Sequence, residues 1–297
     1  DGIRDIGVTG VQTCALPISS ILFLMKALQF KDVNEFLKES QEFRYAEIIR
    51  TNLISSVANS VASGARAYEG YFWWVIKDED SVVGVAIRTL PFGYVFSPMP
   101  REAVKTLLLS IAKEDSEASG FSGPKEVIYE VEKLMNKKVI EEEGELIYTL
   151  DHLIEPSVSG NIRVAKDNDF ELMHSWMLEF SNEIKVALFN MENVLRTNTE
   201  KSLLYLLEVK GEVVSLGGFH KPIEILGKKI GRVGPIYTPK QFRKNGYASQ
   251  VTAFLSKLIL NQGAIATLYT QANNQTSNKI YQEIGYRLVD ENRKISF

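Results

Sequence analysis

Apolar positions in the first half of the chain follow two spacings, one typical of helices and one typical of strands. Residues 31–63 carry apolar side chains three and four positions apart, which predicts two helices. Residues 70–98 show apolar runs interrupted at 78–80 and 91–93, which predicts three strands joined by turns. Two amphipathic helices and one strand are predicted to complete this half, at 101–114, 122–138 and 144–154.

The second half repeats this order of patterns. A short strand is followed by two helices, and we expect Asp167 to cap the first of them. A hairpin turning at Lys210 and Gly211 leads into a third strand, a helix, a strand, a helix and a terminal pair of strands. Because the same order occurs twice, the pattern predicts two copies of one α+β unit, the first of them degenerate.

Residues 155–161 are the best candidate for a linker between the two copies. This stretch holds one proline, two serines and one glycine within seven residues, a composition typical of loops. The predicted domains are therefore a degenerate N-terminal domain at 19–154 and a complete one at 162–297.

The length and composition are those of a globular protein with two domains. The chain has 297 residues, of which 45% are hydrophobic and 24% charged, and single cores rarely grow beyond this size. The net charge of -3 gives no reason to expect binding to nucleic acid or to a membrane. Residues 160–297 hold 18 Lys and Arg against 13 Asp and Glu, whereas residues 1–159 hold 16 against 24. The basic second half suits a small polyanionic ligand.

The cysteine and histidine content argues against cross-links and metal sites. The single cysteine, Cys14, excludes an internal disulfide, and the three histidines lack the spacing of metal ligands, so no metal is expected. No run of 18 apolar residues occurs, so no membrane span is predicted. The scarcity of cysteine fits a reducing compartment, and we expect a cytoplasmic location.

The first 18 residues differ in character from the rest. The stretch GVTGVQTCALPI at 7–18 resembles the translation of a common sequencing-library adapter, and we interpret residues 1–18 as an artefact fused to the reading frame. The alternative is a signal peptide, because residues 15–25 are largely apolar. The basic region that should precede such a segment is missing, since Asp1 and Asp5 offset Arg4.

The stretch YTPKQFRKNGYASQV at 237–251 places cations and a glycine between a strand and a helix. The start of a helix offers unpaired N–H groups and partial positive charge to an anion. Gly246 allows the backbone to approach such a ligand closely. The sequence therefore predicts a pyrophosphate site, although the glycines of a Walker A or a dinucleotide-binding loop are missing.

Two motifs resemble those of the GNAT superfamily of N-acetyltransferases. RKNGYA at 243–248 is similar to the family's [Q/R]-x-x-G-x-[G/A] signature, and VGPIYT at 233–238 resembles the strand before it. NNQTSNKIYQEIGYR at 273–287 is similar to the second family motif, N-x-x-[A/S]-x-x-[L/I]-Y-x-x-x-G-[F/Y]. The first half is similar to the degenerate lobe of a two-lobed subgroup, over 82–97 and 121–134.

This resemblance implies tandem GNAT-like domains, each a mixed sheet flanked by helices, and acetyl-CoA as co-substrate. Tyr281 is the implied general acid, which protonates the departing sulfur. Residues 114–123 of the first half are acidic and stand where the cofactor loop should be, so we expect one cofactor per chain. The implied cofactor-binding residues are Ile236, Tyr237, Thr238, Arg243, Lys244, Asn245, Gly246, Tyr247, Ala248, Ser249, Asn274 and Ser277.

The residue that removes a proton from the amine is less clear from the sequence. Glu183 is the catalytic candidate, because it shares a helix face with Trp176 and Phe180, and early helices line the acceptor site in this family. Glu212, His220 and Glu224 are weaker candidates, and a base acting through water is a further alternative.

The acceptor is expected to be a small-molecule amine or a peptide. Two other functions stay open from the sequence. One is a CoA-binding sensor that has lost transfer activity, and the other is a nucleotide-binding protein that uses the same loop.

Overall fold

The computed structural model describes residues 25–158, 160–185 and 190–297. The stretch 1–18, which we interpret as adapter-derived, lies outside these residues.

The described part of the first half alternates strands with short helices. In chain order the elements are β1 (Lys26–Phe30), α1 (Val33–Glu39), α2 (Gln41–Ala46), α3 (Asn52–Ala62), β2 (Tyr71–Asp78), β3 (Ser81–Thr89), β4 (Tyr94–Phe96), α4 (Arg101–Glu114), β5 (Gly120–Pro124), α5 (Lys125–Met135) and β6 (Glu141–Leu150).

Three helices replace the two that were predicted over 31–63. Asp32 caps α1, accepting hydrogen bonds from the backbone N–H groups of Asn34 and Glu35. The buried Arg44 holds the junction with α2, because its Nε donates to Ser40 Oγ (2.8 Å) and its Nη2 donates to the carbonyl of Leu37 (2.7 Å).

The second half has the same order of elements. They are β7 (Asn161–Val164), α6 (Phe170–Ile184), α7 (Met191–Glu200), β8 (Leu204–Val209), β9 (Glu212–Ile225), β10 (Lys228–Tyr237), α8 (Tyr247–Leu260), β11 (Ile265–Gln271), α9 (Gln275–Glu283) and β12 (Tyr286–Ser296).

Two local predictions in this half are wrong. Asp167 does not cap α6, because a 3-10 turn comes first and Asp169 accepts the N–H of Lys166 at 2.8 Å. The terminal segment is one long strand rather than a pair, since the irregularity between Leu288 and Asp290 is a bulge and not a turn.

All twelve strands of the described chain form one sheet, in the order β1-β2-β3-β4-β5-β12-β6-β11-β10-β9-β8-β7. The pairs β4–β5 and β10–β11 are parallel and the other pairs are antiparallel. The predicted α+β class, with a mixed sheet flanked by helices, is confirmed.

The two halves exchange strands at the centre of the sheet. Strand β6 comes from the first half but pairs with β11 and β12 of the second, and β12 also pairs with β5 of the first. Buried Arg293 on β12 donates at 2.6 Å both to Glu142 on β6 and to Glu132 on α5. The predicted division at 155–161 thus follows chain order, whereas the sheet is shared.

The C-terminal half of the sheet is covered on both faces. On one face, α8 and α9 pack over a core that includes Val251, Leu255 and Leu268. On the other, α6 and α7 pack over Leu206, Leu216 and Tyr237. We call this second surface the α6 face. Nearer the starts of β10 and β11, the same face is covered by the segment that follows α2 in the first half.

Candidate active site

Strands β10 and β11 are hydrogen-bonded to each other along only part of their length. They pair in parallel from Ile230 opposite Ile265 to Val233 opposite Leu268. Beyond that row, β10 runs on to Tyr237 and β11 to Gln271, and the described structure shows no pairing between them. The register of β10 against β9 also shifts between Val233 and Ile236. A V-shaped opening therefore lies between the two strand ends, where the facing backbone groups of β10 and β11 are not paired with each other.

The loop from β10 to α8 is shaped for close approach by a ligand. It contains a 3-10 turn at Lys240–Phe242, and both Lys244 (φ 68°) and Gly246 (φ 77°) have left-handed backbone conformations. The Asn245 side chain folds back and donates to the carbonyls of Phe242 and Arg243. Within the described residues, the N–H groups of 244–249 donate no hydrogen bond. They are available to an anion, as the sequence predicts.

A neighbouring segment borders this loop without bonding its amides in the described chain. Val158 lies against Gly246, and Lys257 on α8 pairs with Glu155 at 2.5 Å. Residues 155–158 thus run alongside α8 and reach its first residues at Val158. Residues 246–250 are half-buried and residues 243–245 are exposed, so the anion site is open to solvent.

The guanidinium group of Arg243 is hydrogen-bonded to other residues of the protein. Its Nε donates to the carbonyl of Thr238 at 2.8 Å, and its Nη2 donates to the two carboxylate oxygens of Glu183 at 2.8 and 2.7 Å. Lys240 Nζ lies 3.9 Å from Glu183. Glu183, the base candidate from the sequence, therefore fastens the loop to α6, and both of its oxygens already accept hydrogen bonds.

The end of β10 is held by a second set of contacts. Tyr237 donates its hydroxyl to Glu179 Oε2 at 2.6 Å, and burial together with this carboxylate raises the pKa of Tyr237. Ser215 Oγ donates to the Tyr237 carbonyl and lies 2.9 Å from Thr238 Oγ1. These bonds fix the strand end beside the opening. The sequence analysis did not identify Glu179.

Tyr281 lies on the opposite face of the sheet, beside the apex of the opening. Its ring is 6.3 Å from that of Tyr148, whose register partner on β11 is Leu268, the last residue paired with β10. Burial raises the pKa of Tyr281, and a hydrogen bond with Ser277 partly opposes this. The phenol therefore keeps its proton at neutral pH, as a general acid must.

Asn274 and Ser277 belong to the first turn of α9. Asn274 Oδ1 accepts the N–H of Ser277 at 3.1 Å and so caps α9. This cap orders the start of the helix that carries Tyr281. The role of both residues toward a cofactor stays a prediction.

Five polar side chains gather on the α6 face, one on each of five neighbouring strands. All are half-buried, and the strand register places them on one side of the sheet: Asn292 on β12, Glu145 on β6, Tyr269 on β11, Arg232 on β10 and His220 on β9. This polar row reaches the β11 edge of the opening at Tyr269.

Burial governs the charges in this row. It raises the pKa of the Glu145 carboxyl, which accepts a hydrogen bond from Asn292 at 3.3 Å. Burial raises the pKa of Tyr269 to about 12. Burial and the positive charges of Arg232 and Arg66 hold the pKa of His220 well below its ordinary value, so this histidine is neutral at pH 7.

Most of this row could not be predicted from the sequence, because strand exchange brings its members together. His220 was a weak candidate, but Glu145 lies in a strand that was assigned to the first half. Only the sheet order brings it beside β11. Its neighbours along the chain, Gly144 and Leu146, give no signal of a site.

The described part of the first half, from residue 25 onward, has no comparable opening. Strands β4 and β5 stay in contact, because a Cβ added at Gly93 would lie 2.6 Å from the Gly120 carbonyl and one at Gly123 would lie 2.5 Å from the Phe96 carbonyl. The counterpart of the cofactor loop is the short segment 97–100 between β4 and α4. The acidic stretch 114–123 comes one helix later, so its predicted correspondence to the loop is wrong.

Neither a metal cluster nor a membrane helix stands out in the described ranges. No group of three or more His, Cys, Asp and Glu side chains there is placed to hold a metal ion. No helix there is long and apolar enough to cross a membrane.

Solved structures of acetyltransferases share this fold. A GNAT-family acetyltransferase from Colwellia psychrerythraea has a TM-score of 0.57 and 14% identity, with 93% of this chain and 100% of that chain covered. A Drosophila protein has a TM-score of 0.62 and 12% identity, with 91% and 98% covered. A tandem GNAT protein from the clavulanic acid biosynthesis pathway has a TM-score of 0.57 and 9% identity, with 92% and 98% covered.

A sequence comparison addresses the second half directly. The family model described as FR47-like protein matches residues 223–295, which run from the end of β9 into β12. No curated protein matches the chain significantly. The motif resemblance is confirmed by this match and by the fold over nearly the whole chain. The chain carries the tandem fold of the GNAT superfamily of acetyltransferases.

Proposed function

We propose that the protein transfers an acetyl group from acetyl-CoA to the nitrogen of an amine, with one cofactor per chain. This proposal rests on the proximity of two structural features. The opening between β10 and β11 and the unbonded amides of residues 244–249 lie at the same end of the same strand. An elongated ligand with a pyrophosphate at one end and a thioester at the other fits such a site.

Backbone and side-chain groups of this chain would bind the cofactor. The amides of 244–249 would hold the pyrophosphate, and Lys244 adds positive charge nearby. The backbone of Ile236, Tyr237 and Thr238 would border the pantetheine arm along the free edge of β10. Arg243 acts by fastening the loop to Thr238 and Glu183.

When bound, acetyl-CoA supplies an acetyl group activated as a thioester. A backbone N–H at the end of β10 stabilises the negative charge that develops on the acetyl oxygen, a contribution of about 2.7–4 kcal/mol. Tyr281 gives its proton to the departing sulfur, which its protonated state supports. Asn274 and Ser277 position Tyr281 by ordering the first turn of α9.

The amine must lose a proton before or during attack, and we assign this step to Glu145. Its raised pKa makes it a better proton acceptor than an exposed glutamate. The bidentate bond from Arg243 gives Glu183 a positioning role instead. A water molecule between Glu145 and the amine serves the same step.

Binding and transfer are tested separately. Calorimetry should show tight binding of acetyl-CoA and none of ATP or NAD, because those nucleotides lack the arm that enters the opening. Release of free thiol is then measured with a panel of amines. Binding of acetyl-CoA with no transfer to any amine would favour the CoA-binding sensor, and preference for ATP or NAD would refute the proposal.

A further inference from the structure

The polar row on the α6 face contains an unusual arginine. The other half-buried or buried arginines of the described structure all have partners, as Asp115 pairs with Arg88, Asp169 with Arg163, and Glu132 with Arg293. Arg50 pairs with Asp290, and Arg44 is bonded to three neutral oxygens.

Arg232 has no carboxylate within ion-pairing distance in the same part of the chain. Its guanidinium carbon lies 5.1 Å from the ring centre of Tyr269, and its charge also lowers the pKa values of Glu145 and His220 from a longer distance. Removing a cation from water without an anionic partner is costly, so a partly desolvated guanidinium of this kind is suited to bind an anion that comes from outside.

A carboxylate of opposite charge stands across the opening. Glu145 is on β6, two strands away from Arg232, and four residues further along the sheet, because Arg232 pairs with Thr267 and Glu145 pairs with Gln271. Two strand spacings of about 4.8 Å and four residues of about 3.3 Å place their Cα atoms about 16 Å apart. Tyr269 lies between them on β11. Long side chains shorten this gap to a length that one small molecule with two charged ends can span.

We propose that the acceptor is an amine that also carries a carboxylate, of the size of a free amino acid. Arg232 binds its carboxylate, and Glu145 faces its amine. This inference rests on the proposed acetyl transfer and names its substrate class. In the reaction a C–N bond forms as the C–S bond breaks. The ammonium gives one proton to Glu145 before attack and a second proton to solvent after the C–N bond has formed, while the sulfur takes a proton from Tyr281, which solvent then replaces.

The first half of the chain also contributes to this specificity. Arg66, just after α3, is exposed and close enough to lower the pKa of His220. It extends the positive field around Arg232. Because His220 stays neutral, it adds no competing charge and can donate or accept a hydrogen bond.

The test compares amino acids with their decarboxylated partners, such as lysine with cadaverine and phenylalanine with phenethylamine. Thiol release is measured at saturating acetyl-CoA. For at least one pair, kcat/KM should be about 10–100-fold higher with the carboxylate present, the value of a charge-assisted hydrogen bond. Arg232→Gln should abolish this preference by raising KM for the amino acid, while KM for the decarboxylated amine stays unchanged.

Two further variants separate recognition from folding. Arg232→Lys should restore part of the preference, because it keeps the charge. Arg101→Gln, an exposed arginine paired with Glu130 on the first half, should change neither substrate. Melting temperatures confirm that each variant is folded.

Each result has a defined meaning. Equal rates for both members of every pair, or an Arg232→Gln variant that slows both equally, would overturn the substrate class and leave acetyl transfer standing. Failure to bind acetyl-CoA or to acetylate any amine would refute the proposed function, and this inference would fall with it.

Discussion

Gly246 gives the sharpest test of the anion site. Its φ of 77° lies in the left-handed region, where any other residue costs about 1–2 kcal/mol. A Cβ at this position would lie 2.6 Å from Cγ2 of Val158, a side-chain atom that can move. Gly246→Ala should therefore fold, with a melting temperature lowered by about 2–8 °C.

The effect on acetyl-CoA affinity should be larger than the effect on folding suggests. A loop that shifts to relieve the strained φ angle no longer points the amide N–H groups around residue 246 toward the pyrophosphate. Losing one charge-assisted hydrogen bond costs about 1.5–3 kcal/mol, which is a factor of about 10–150 in Kd. Calorimetric titration with acetyl-CoA measures this factor directly.

Gly211→Ala is the matched control. Gly211 has φ 81° at the β8–β9 hairpin, with no atom within 4 Å of an added Cβ. The backbone cost is nearly the same, so the melting temperature should fall by a similar amount while acetyl-CoA affinity is unchanged. Unaltered affinity in Gly246→Ala, or an equal loss in both variants, would show that the pyrophosphate does not sit on these amides.

Three other predictions address catalysis and folding. Tyr281→Phe should lower kcat about 100-fold or more without changing the Kd of acetyl-CoA, and unchanged turnover would remove Tyr281 from the mechanism. Glu145→Gln should abolish the rise of kcat/KM with pH that the raised pKa of this carboxyl produces. A carboxyl group whose pKa is raised by folding stabilises the protein below the ordinary glutamate pKa, and this stability is lost as the pH rises through the raised pKa. Glu145→Gln should therefore also melt at a higher temperature than wild type at pH 7. A lower melting temperature would contradict the assigned burial of Glu145. Gly285→Ala should lower the free energy of unfolding by about 2–3 kcal/mol, because φ is 102° and the new Cβ would meet the His152 carbonyl; an unshifted urea midpoint would be inconsistent with this.

Features set by neighbouring residues were predictable from the sequence. The hairpin turn predicted at Lys210 and Gly211 is present, and the helix predicted at 101–114 is observed over the same residues as α4. The open loop before α8 also follows from local chemistry, since a strand, a glycine and a helix start need no distant partner. The capping error at Asp167 has a local cause too, because Arg163 draws Asp169 into the capping position.

Features set by long-range pairing were not predictable in this way. The sequence pattern of β6 is that of any strand, and nothing in it states that its neighbours are β11 and β12. A repeat of two similar units predicts two separate sheets, whereas exchange of the final strands produces one. The polar row could not be predicted for the same reason, because its five members come from five strands and are far apart in the sequence.

Because of the strand exchange, the first half contributes to the candidate site although it is degenerate. The described part of that half shows no opening between β4 and β5 and has a short loop before α4, which is why we propose one cofactor per chain. It nevertheless supplies β6, and with it Glu145 and Tyr148, to the sheet beside the opening. Without β6, β11 and β12 would have no shared partner, and Tyr281 would keep the ring of Tyr286 but lose that of Tyr148. The first half therefore cannot be treated as a separate module attached to a self-sufficient catalytic domain, because the proposed proton acceptor belongs to it.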